Sequence, residues 1–358
     1  MNEPVRSILA ADVGGTKTLL MRRCWHPDGT VEETRRSYRS EEHDGLDSML
    51  RSFLEQSPGP VQCAALAVAG PVEGHQARLT NLPWTIDATA LCRRWDLGEL
   101  ELMNDVEALA DAVPTLSPDE VHTLSPGRPD EHGTVAVAAL GTGLGQAYLT
   151  PRRGGYEAHP SEGGHCSFAP TNRQQLLLLE YLLAEQEHVS VESVCSGLGI
   201  QKVFRFVSAQ GGAKEERELR RQLASMADPT PTIVEHALRG TSRLCTRTME
   251  IVVDILGAEL GNLALKLLAT GGVYLGGGIA PRIRPLLEEE RLLHAFRRKG
   301  RLDRVLLHAP LHLILAEDGV VRGAAQRAGD RCLGSKAATK EIEQGLSAGS
   351  KQREEGRR

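Results

Sequence analysis

The chain of 358 residues carries a net charge of −5, with 41% hydrophobic, 25% charged and only 4% aromatic residues. This is the composition of an ordinary globular protein, and the length allows two lobes rather than one compact unit. An acidic chain with few aromatic residues is poorly suited to nucleic acid, to an anionic membrane surface or to base stacking. We therefore expect neither a nucleic-acid partner nor a membrane partner.

The cysteines and the longest apolar region bear on the compartment. Seven cysteines are scattered along the chain without a C-x-x-C pair, which fits neither a disulfide framework nor a zinc site. The apolar region 251–280 is interrupted by Asp254, Glu259 and Lys266, which excludes it as a membrane span. The N-terminus lacks the pattern of a signal peptide. We expect a cytoplasmic protein with small buried thiols.

Strands and helices alternate in the first part of the chain. Residues 7–21 read as two strands around the Gly14-Gly15 turn, which predicts a hairpin. A helix is predicted over 44–54, a buried strand over 62–69, a strand over 100–103 and a helix over 106–113. This interleaving predicts an α/β architecture with a mixed sheet.

The second part of the chain repeats the opening pattern after a segment rich in proline and serine at 114–129. A strand over 134–139 enters the turn Gly141-Thr142-Gly143, and a second strand over 146–149 leaves it. We interpret this echo of the first hairpin as an internal duplication of a nucleotide-binding lobe.

Helices dominate the remainder. A leucine-rich helix is predicted over 174–186 and two or three helices over 233–268. A strand then enters Gly276-Gly277-Gly278, and the next helix is predicted to start at Pro281. The last residues, 334–358, hold almost no large apolar side chain and predict a disordered charged tail.

The first glycine turn has the donors that an oligophosphate needs. Gly14 and Gly15 permit a tight turn and a close approach of the backbone, while Thr16 and Lys17 add a hydroxyl and an ammonium group. Asp12 offers a carboxylate for the magnesium ion that accompanies ATP. The alternative interpretation is a plain hairpin turn, in which Gly-Gly is common.

Two further glycine turns favour nucleotide binding over that alternative. Gly141-Thr142-Gly143 repeats the glycine–threonine turn, and Gly277-Gly278 lies between a strand and a helix whose N-terminus can face a phosphate. Neither turn has the spacing of a Walker loop or of a dinucleotide fingerprint.

Asn104-Asp105 is the candidate for catalysis, because it lies at the junction between an apolar strand and a helix. Clefts in α/β proteins open at the carboxyl ends of strands. Phosphoryl transfer needs a base that accepts the proton of the attacking hydroxyl, and Asp105 suits that role. The alternative is a helix N-cap, for which Asn and Asp are both favoured.

Sugar recognition requires carboxylates, an amide and an imidazole that converge on several hydroxyls. Glu162-Gly163-Gly164-His165 places a carboxylate and an imidazole across a flexible turn, Glu192 adds a carboxylate and Asn81 an amide. Each glutamate could instead be a solvated surface residue. His165 has no second His or Cys at ligand spacing, so we expect no metal site built by the protein alone.

These motifs, in this order, resemble the proteobacterial type of bacterial glucokinase, in the actin, Hsp70 and sugar-kinase superfamily. The resemblance covers the chain up to about Ala328, and the run from Glu162 to Pro170 is its most specific part. Lys17 departs from it, since relatives often have asparagine there. A lone Cys166 argues against the related repressor and kinase family, which has a cysteine-rich zinc motif at that place.

The resemblance implies an α/β, two-lobed, actin-like (ribonuclease H-like) ATPase fold with a central cleft. The small lobe would comprise 1–115 and 309–328, and the large lobe 116–308. Asp105 would be the base that accepts the proton of the glucose 6-hydroxyl. The implied sugar ligands are Asn81, Asn104, Asp105, Glu162, His165 and Glu192. The implied nucleotide-binding residues are Ala11, Asp12, Gly14, Gly15, Thr16, Lys17, Gly141, Thr142, Gly143, Gly277 and Gly278. ATP, Mg²⁺ and glucose are the implied ligands, and a homodimer is a family expectation.

Three alternatives remain open from the residues themselves. The enzyme could prefer another hexose, since the motifs do not distinguish glucose from mannose or glucosamine. A regulator could bind sugar without phosphorylating it, although no helix-turn-helix extension precedes Ile8. A superfamily ATPase acting on proteins would leave the Glu162–His165 segment without a task.

Overall fold

The computed structural model describes residues 5–211 and 216–333, which divide into two compact units. The first unit comprises the described residues up to Thr115, then Arg152–Ala158 and those from Glu317 onwards; the second comprises Leu116–Pro151 and His159–Ala316. The tail predicted over 334–358 lies outside the described residues.

The first unit is built on a mixed five-stranded sheet in the order β3-β2-β1-β4-β8. Its strands are β1 (Arg6–Val13), β2 (Lys17–Trp25), β3 (Val31–Arg39), β4 (Val61–Val68) and β8 (Leu97–Asn104). A small antiparallel sheet contains β5 (Val72–Glu73), β6 (Gln76–Arg78) and β7 (Thr85–Asp87). The helices of this unit are α1 (Leu46–Gln56), α2 (Ala88–Trp95), α3 (Asp105–Ala112) and α12 (Gly319–Leu333).

The register of three parallel strands places two predicted motifs at one edge of this sheet. Val13 of β1 pairs with Val68 of β4, which pairs in turn with Asn104 of β8. Because parallel strands end at the same edge, the turn after Asp12 and the Asn104-Asp105 junction lie at one edge of the sheet, after two strands that only β4 separates.

The second unit contains most of a mixed six-stranded sheet in the order β12-β11-β10-β13-β14-β9, in which Arg152 and residues 155–158 are grouped with the first unit. Its strands are β9 (Val121–Ser125), β10 (Val135–Leu140), β11 (Leu144–Arg152), β12 (Gly155–Ser161), β13 (Gly272–Gly276) and β14 (Leu311–Ile314). Its helices are α4 (Arg173–Leu183), α5 (Gly197–Ala209), α6 (Arg217–Ala224), α7 (Thr230–Leu238), α8 (Arg243–Leu267), α9 (Arg284–Leu287), α10 (Glu290–Arg297) and α11 (Asp303–His308).

The two large sheets share one topology. In each, a first strand pairs antiparallel with the second and parallel with a later strand: β1 with β2 and β4, and β10 with β11 and β13. A third strand flanks the second, and a fifth flanks the fourth. The internal duplication predicted from the two glycine hairpins is thus confirmed at the level of strand order.

Several predictions of local structure need correction. Pro281 is the second residue of a single 3-10 turn, Ala280–Ile283, and the helix that follows this turn, α9, has only four residues. Helix α3 begins at Asp105, one position before the predicted start. The division expected at 308/309 also differs from the structure, because β14 pairs with β13 and β9 and belongs to the second unit.

Candidate active site

The hairpin turn after Asp12 is held tightly by the backbone and by Ser40. The Gly14 N–H donates to the Lys17 carbonyl at 3.1 Å, and the Ser40 hydroxyl donates to the Gly14 carbonyl at 2.7 Å. The Ser40 N–H donates to the Thr16 carbonyl at 2.9 Å. The Thr16 and Lys17 side chains remain exposed, so their hydroxyl and ammonium groups can meet a ligand.

Asp12 and Asp105 interact electrostatically at this edge of the sheet. Burial raises the pKa of Asp12 to about 7, the negative charge of Asp105 adds to the rise, and the Lys17 ammonium opposes it. Two carboxylates in one partly desolvated place attract cations. The arrangement therefore suits an oxygen-loving ion such as Mg²⁺.

Asn104, and not Asp105, provides the N-cap of α3. Its Oδ1 accepts from the Val106 N–H at 2.9 Å, and its Nδ2 donates to the Gly70 carbonyl at 3.5 Å. Asp105 is the first residue of the helix, where its carboxylate Oδ1 also accepts from the Val106 N–H at 2.9 Å. The sequence left cap and base as alternatives for this pair, and the structure gives the cap to the asparagine.

Asn81 lies beside the first glycine turn. A β-carbon added at Gly15 would lie 3.0 Å from the Asn81 Cβ, so glycine is what permits this approach. The Asn81 side chain is exposed.

The second glycine turn is also closed by backbone hydrogen bonds. The Gly141 N–H donates to the Gly143 carbonyl at 3.0 Å, while the Ile279 N–H donates to the Leu140 carbonyl at 2.9 Å. Gly277 has φ +90°, and an added β-carbon would lie 2.5 Å from the Leu140 oxygen, so both conformation and packing require glycine. Gly141 and Gly278 face open space, which leaves room for a ligand.

A helix N-terminus at this turn escaped the sequence analysis. Helix α5 begins with Ser196 as N-cap, and the Gly197 N–H donates to the Gly141 carbonyl at 2.8 Å. An added β-carbon on Gly197 would contact Thr142. The Ser196-Gly197 pair before an apolar run was the available signal. With α9 so short, α5 is the better candidate for a helix that faces phosphate.

The three residues predicted to bind sugar in the second unit lie together. The His165 Nε2 is 3.9 Å from an oxygen of Glu162 and 3.9 Å from an oxygen of Glu192. Glu192 is anchored, because its Oε2 accepts from the Leu144 N–H at 2.8 Å. A β-carbon added at Gly143 would lie 2.4 Å from that oxygen, so Glu192 also borders the second glycine turn.

The turn that carries Glu162 and His165 is not flexible, contrary to the prediction. Gly163–His165 forms a 3-10 turn, and a β-carbon added at Gly164 would lie 1.9 Å from the Leu144 oxygen. The Glu192 N–H donates to the Gly164 carbonyl at 2.9 Å. Glycine at 163 and 164 therefore serves close packing rather than mobility.

The described residues contain neither a cluster of metal ligands nor a helix that could span a membrane. Across 5–211 and 216–333, no group of three or more His, Cys, Asp or Glu side chains has an arrangement that could hold a metal ion. Over the same ranges, each helix is too short or too polar to cross a bilayer.

Comparison with known proteins agrees with this architecture. A crystal structure of glucokinase from an Antarctic psychrotroph superposes with a TM-score of 0.77 at 31% identity, over 90% of this chain and 98% of that one. Glucokinase from Balamuthia mandrillaris, solved with glucose, gives a TM-score of 0.74 at 20% identity, over 90% of this chain and 94% of that one. The predicted actin-like α/β fold with mixed sheets is confirmed, and the chain is of the sugar-kinase class.

The family follows from the sequence itself. The profile of the glucokinase family matches residues 9–330. Glucokinase of Trichormus variabilis is 37% identical over 336 residues, which cover 89% of this chain and 97% of that protein. The chain belongs to the glucokinase family, and the resemblance stated from its motifs is confirmed.

Proposed function

We propose that this chain is an ATP-dependent glucokinase, which transfers the γ-phosphoryl group of ATP to the 6-hydroxyl of glucose. The observation that carries the proposal is the position of Asp105, at the end of β8 and in electrostatic contact with Asp12 of the first glycine turn. A candidate base and a candidate phosphate turn thus follow two parallel strands of one sheet, with only β4 between those strands.

The sugar would be held by side chains that can share its hydroxyl protons. Glu162, His165 and Glu192 supply two carboxylates and an imidazole. The His165 Nε2 lies 3.9 Å from an oxygen of each glutamate, beyond hydrogen-bond distance, so these groups can bond to sugar hydroxyls instead. Asn104 and Asn81 supply amides that can donate and accept. Asn104 is oriented by its cap to Val106 and its bond to Gly70.

Asp105 acts as the general base in this proposal. Its carboxylate accepts the proton of the 6-hydroxyl as the sugar oxygen forms a bond to the γ-phosphorus of ATP. The bond between that phosphorus and the bridging oxygen breaks, and ADP leaves with the bond's electron pair. The helix cap supplied by Asn104 fixes the backbone that carries this carboxylate.

The glycine turns would hold the triphosphate. Their residues are Ala11, Asp12, Gly14, Gly15, Thr16 and Lys17 in the first unit, and Gly141, Thr142, Gly143, Gly277 and Gly278 in the second. The raised pKa of Asp12 fits a nearby divalent cation, which would favour its ionised form. Bound Mg²⁺ would offset phosphate charge during transfer, and Asp12 is the residue that we assign to hold it.

The decisive variant is Asp105→Ala. We expect kcat to fall by about two orders of magnitude or more, because the base is lost, while glucose still binds. A coupled assay of ADP release measures kcat, and calorimetric titration measures glucose binding. Asp119→Ala is the matched control, since Asp119 is exposed in a 3-10 turn of the second unit. Near-normal turnover by Asp105→Ala would remove this residue from the mechanism.

The same assay separates the alternatives. ADP release that depends on glucose supports the kinase; hydrolysis without sugar would support a superfamily ATPase, and binding without turnover a regulator. A panel of sugars and donors would establish the selectivity among hexoses. The cytoplasmic location and the homodimer stay predictions, and the seven free cysteines favour a reducing compartment.

A further inference from the structure

Helix α8 carries a buried carboxylate that the proposed reaction does not use. Glu259 is only 5% exposed, and both of its oxygens are occupied by amides. Gln146 of β11 donates from Nε2 to Oε1 at 3.0 Å, and Asn262 donates from Nδ2 to Oε2 at 3.0 Å. A buried charge with two directed donors is expensive to build and needs a reason.

Lys299 fixes one end of this network. Its ammonium group donates to the Asn262 Oδ1 at 2.5 Å and to the Ala258 carbonyl at 2.8 Å. Gly261 makes the approach possible, because an added β-carbon would lie 2.8 Å from the Lys299 Cε and 2.3 Å from the Phe296 oxygen. Gly261 and Asn262 are thus both part of the network.

The chemistry of the four side chains fixes the direction of every amide. An ammonium group only donates, so Asn262 must turn its oxygen to Lys299 and its NH₂ to Glu259. A carboxylate only accepts, so Gln146 must turn its NH₂ to Glu259. The Gln146 Oε1 then faces the other way, toward Gly163, where an added β-carbon would lie 2.0 Å from it.

We propose that Glu259 and Gln146 are positioning residues, which set the turn at 162–165 so that Glu162 and His165 meet the sugar. The effect on sugar binding rests on the proposed function. The effect of the network on the turn at 162–165 does not. The Gly164 carbonyl accepts from Glu192, and Gly164 packs against the Leu144 carbonyl. The Gly163 N–H donates to the Ser161 hydroxyl at 3.1 Å, and Gly163 packs against the amide oxygen of Gln146. Sugar affinity therefore depends on a carboxylate that the sugar does not touch.

The test reverses the direction of the hydrogen bond between Gln146 and residue 259. In Glu259→Gln, Asn262 still presents NH₂, so the new amide turns its oxygen to Asn262 and its NH₂ to Gln146. Gln146 must then flip and present NH₂ to Gly163. We expect the KM for glucose to rise about tenfold, because an NH₂ group in place of the oxygen packed against Gly163 displaces the turn, with kcat and the KM for ATP within about twofold.

The double variant Gln146→Glu/Glu259→Gln returns an oxygen to Gly163, because the new carboxylate accepts from the amide at 259. We expect it to bring the KM for glucose back to within about threefold of the parent value. Glu250→Gln, at an ion pair with Arg247 on the same helix, is the control and leaves the KM unchanged. A parental KM in Glu259→Gln, or a double variant no better than the single one, would overturn the proposal.

Amide hydrogen exchange provides a readout that does not require turnover. Exchange in the peptide over 162–166 should quicken in Glu259→Gln and return in the double variant, with no change in Glu250→Gln. Equal exchange in all variants would refute the positioning role even if the chain did not phosphorylate glucose. Absence of glucose turnover in the parent protein would refute the proposed function instead, and the exchange data would still decide this inference.

Discussion

At the scale of single residues, the carboxyl group of Asp12 is protonated more readily in the folded chain than it would be in water. Burial and the charge of Asp105 raise its pKa from 3.8 to about 7. The folded state therefore binds more protons than the unfolded state between these values. The stabilisation from this group is complete below about pH 4 and is lost as the pH rises to about 7.

We accordingly expect Asp12→Asn to change how stability depends on pH. The free energy of unfolding of the parent protein should fall relative to that of Asp12→Asn between pH 4 and pH 7, by an amount on the order of 2–4 kcal/mol. Urea titrations at a series of pH values, without nucleotide or divalent ions, measure this difference. If the two profiles run parallel, Asp12 does not titrate in this range.

The candidate site residues could be predicted from the sequence where local geometry demands a particular amino acid. The glycine turns and the Asn104 cap follow from conformational rules that act within a few residues. Gln146 and Glu259, which form a hydrogen bond, are 113 residues apart in the sequence, and no local pattern predicts their contact. Gly163 and Gly164 were correctly placed in a turn, but only the packing of Gln146 and Leu144 explains why they are glycines.

At the scale of elements, Arg327 joins helix α12 to both sides of the β8–α3 junction. Its guanidinium donates to Glu101 of β8 at 2.8 Å, and to Asp111 and Glu107 of α3 at 2.8 and 3.0 Å. Burial raises the pKa of Asp111 to about 6 although the arginine opposes the rise. The junction that this network spans is the one that carries Asn104 and Asp105.

Arg327→Ala should be strongly destabilising, because it leaves the partly buried carboxylates of Glu107 and Asp111 without their cation and Glu101 with Arg331 alone. We expect a loss of about 3–5 kcal/mol in the free energy of unfolding at pH 8. The loss should be smaller at pH 5, since Asp111 can then be protonated. Arg331→Ala on the same helix is the control, and its more exposed pairs with Glu99 and Glu101 should contribute about 1 kcal/mol or less. Equal losses in both variants, measured by urea unfolding, would contradict this account.

The helices and strands that could be predicted were those with a long run of periodically spaced apolar residues. The first hairpin, α1, β4 and β13 each follow from a run that is buried on one or both faces. The strands β5, β6 and β7, of two or three residues each, carry too short a period to be recognised. Helix α5 was missed because its first turn holds two glycines, which lower helix propensity but permit close packing at Gly141 and Val194.

At the scale of the whole molecule, the first unit is completed only by the end of the described chain. Val321, Ala324, Ala325 and Ala328 of α12 are buried and pack in one cluster with Ile8, Ala10, Ala65 and Ala67 of β1 and β4. Gly323 permits the approach of α12 to α3, since an added β-carbon would lie 1.6 Å from the Ala108 oxygen. The packing of α12 in the first lobe could be expected only from the family resemblance, because no local sequence pattern indicates it.

The last expectation follows from that discontinuity. A chain ended after Ala316 lacks α12, so the apolar face of β1 and β4 and the carboxylates of Glu107 and Asp111 lose their cover. We expect the first unit to lose its cooperative unfolding transition. Folded domains are typically stable by only about 5–15 kcal/mol, and the exposed core and unpaired carboxylates remove stabilisation of that order. Hydrogen exchange of peptides from β1 and β4 measures the effect, with a chain ended after Leu333 as the control. Slow exchange in β1 and β4 of the shorter chain would mean that residues up to Thr115 fold without α12, which would contradict this expectation. The control should exchange like the parent protein, so that faster exchange in the shorter chain can be attributed to the loss of α12.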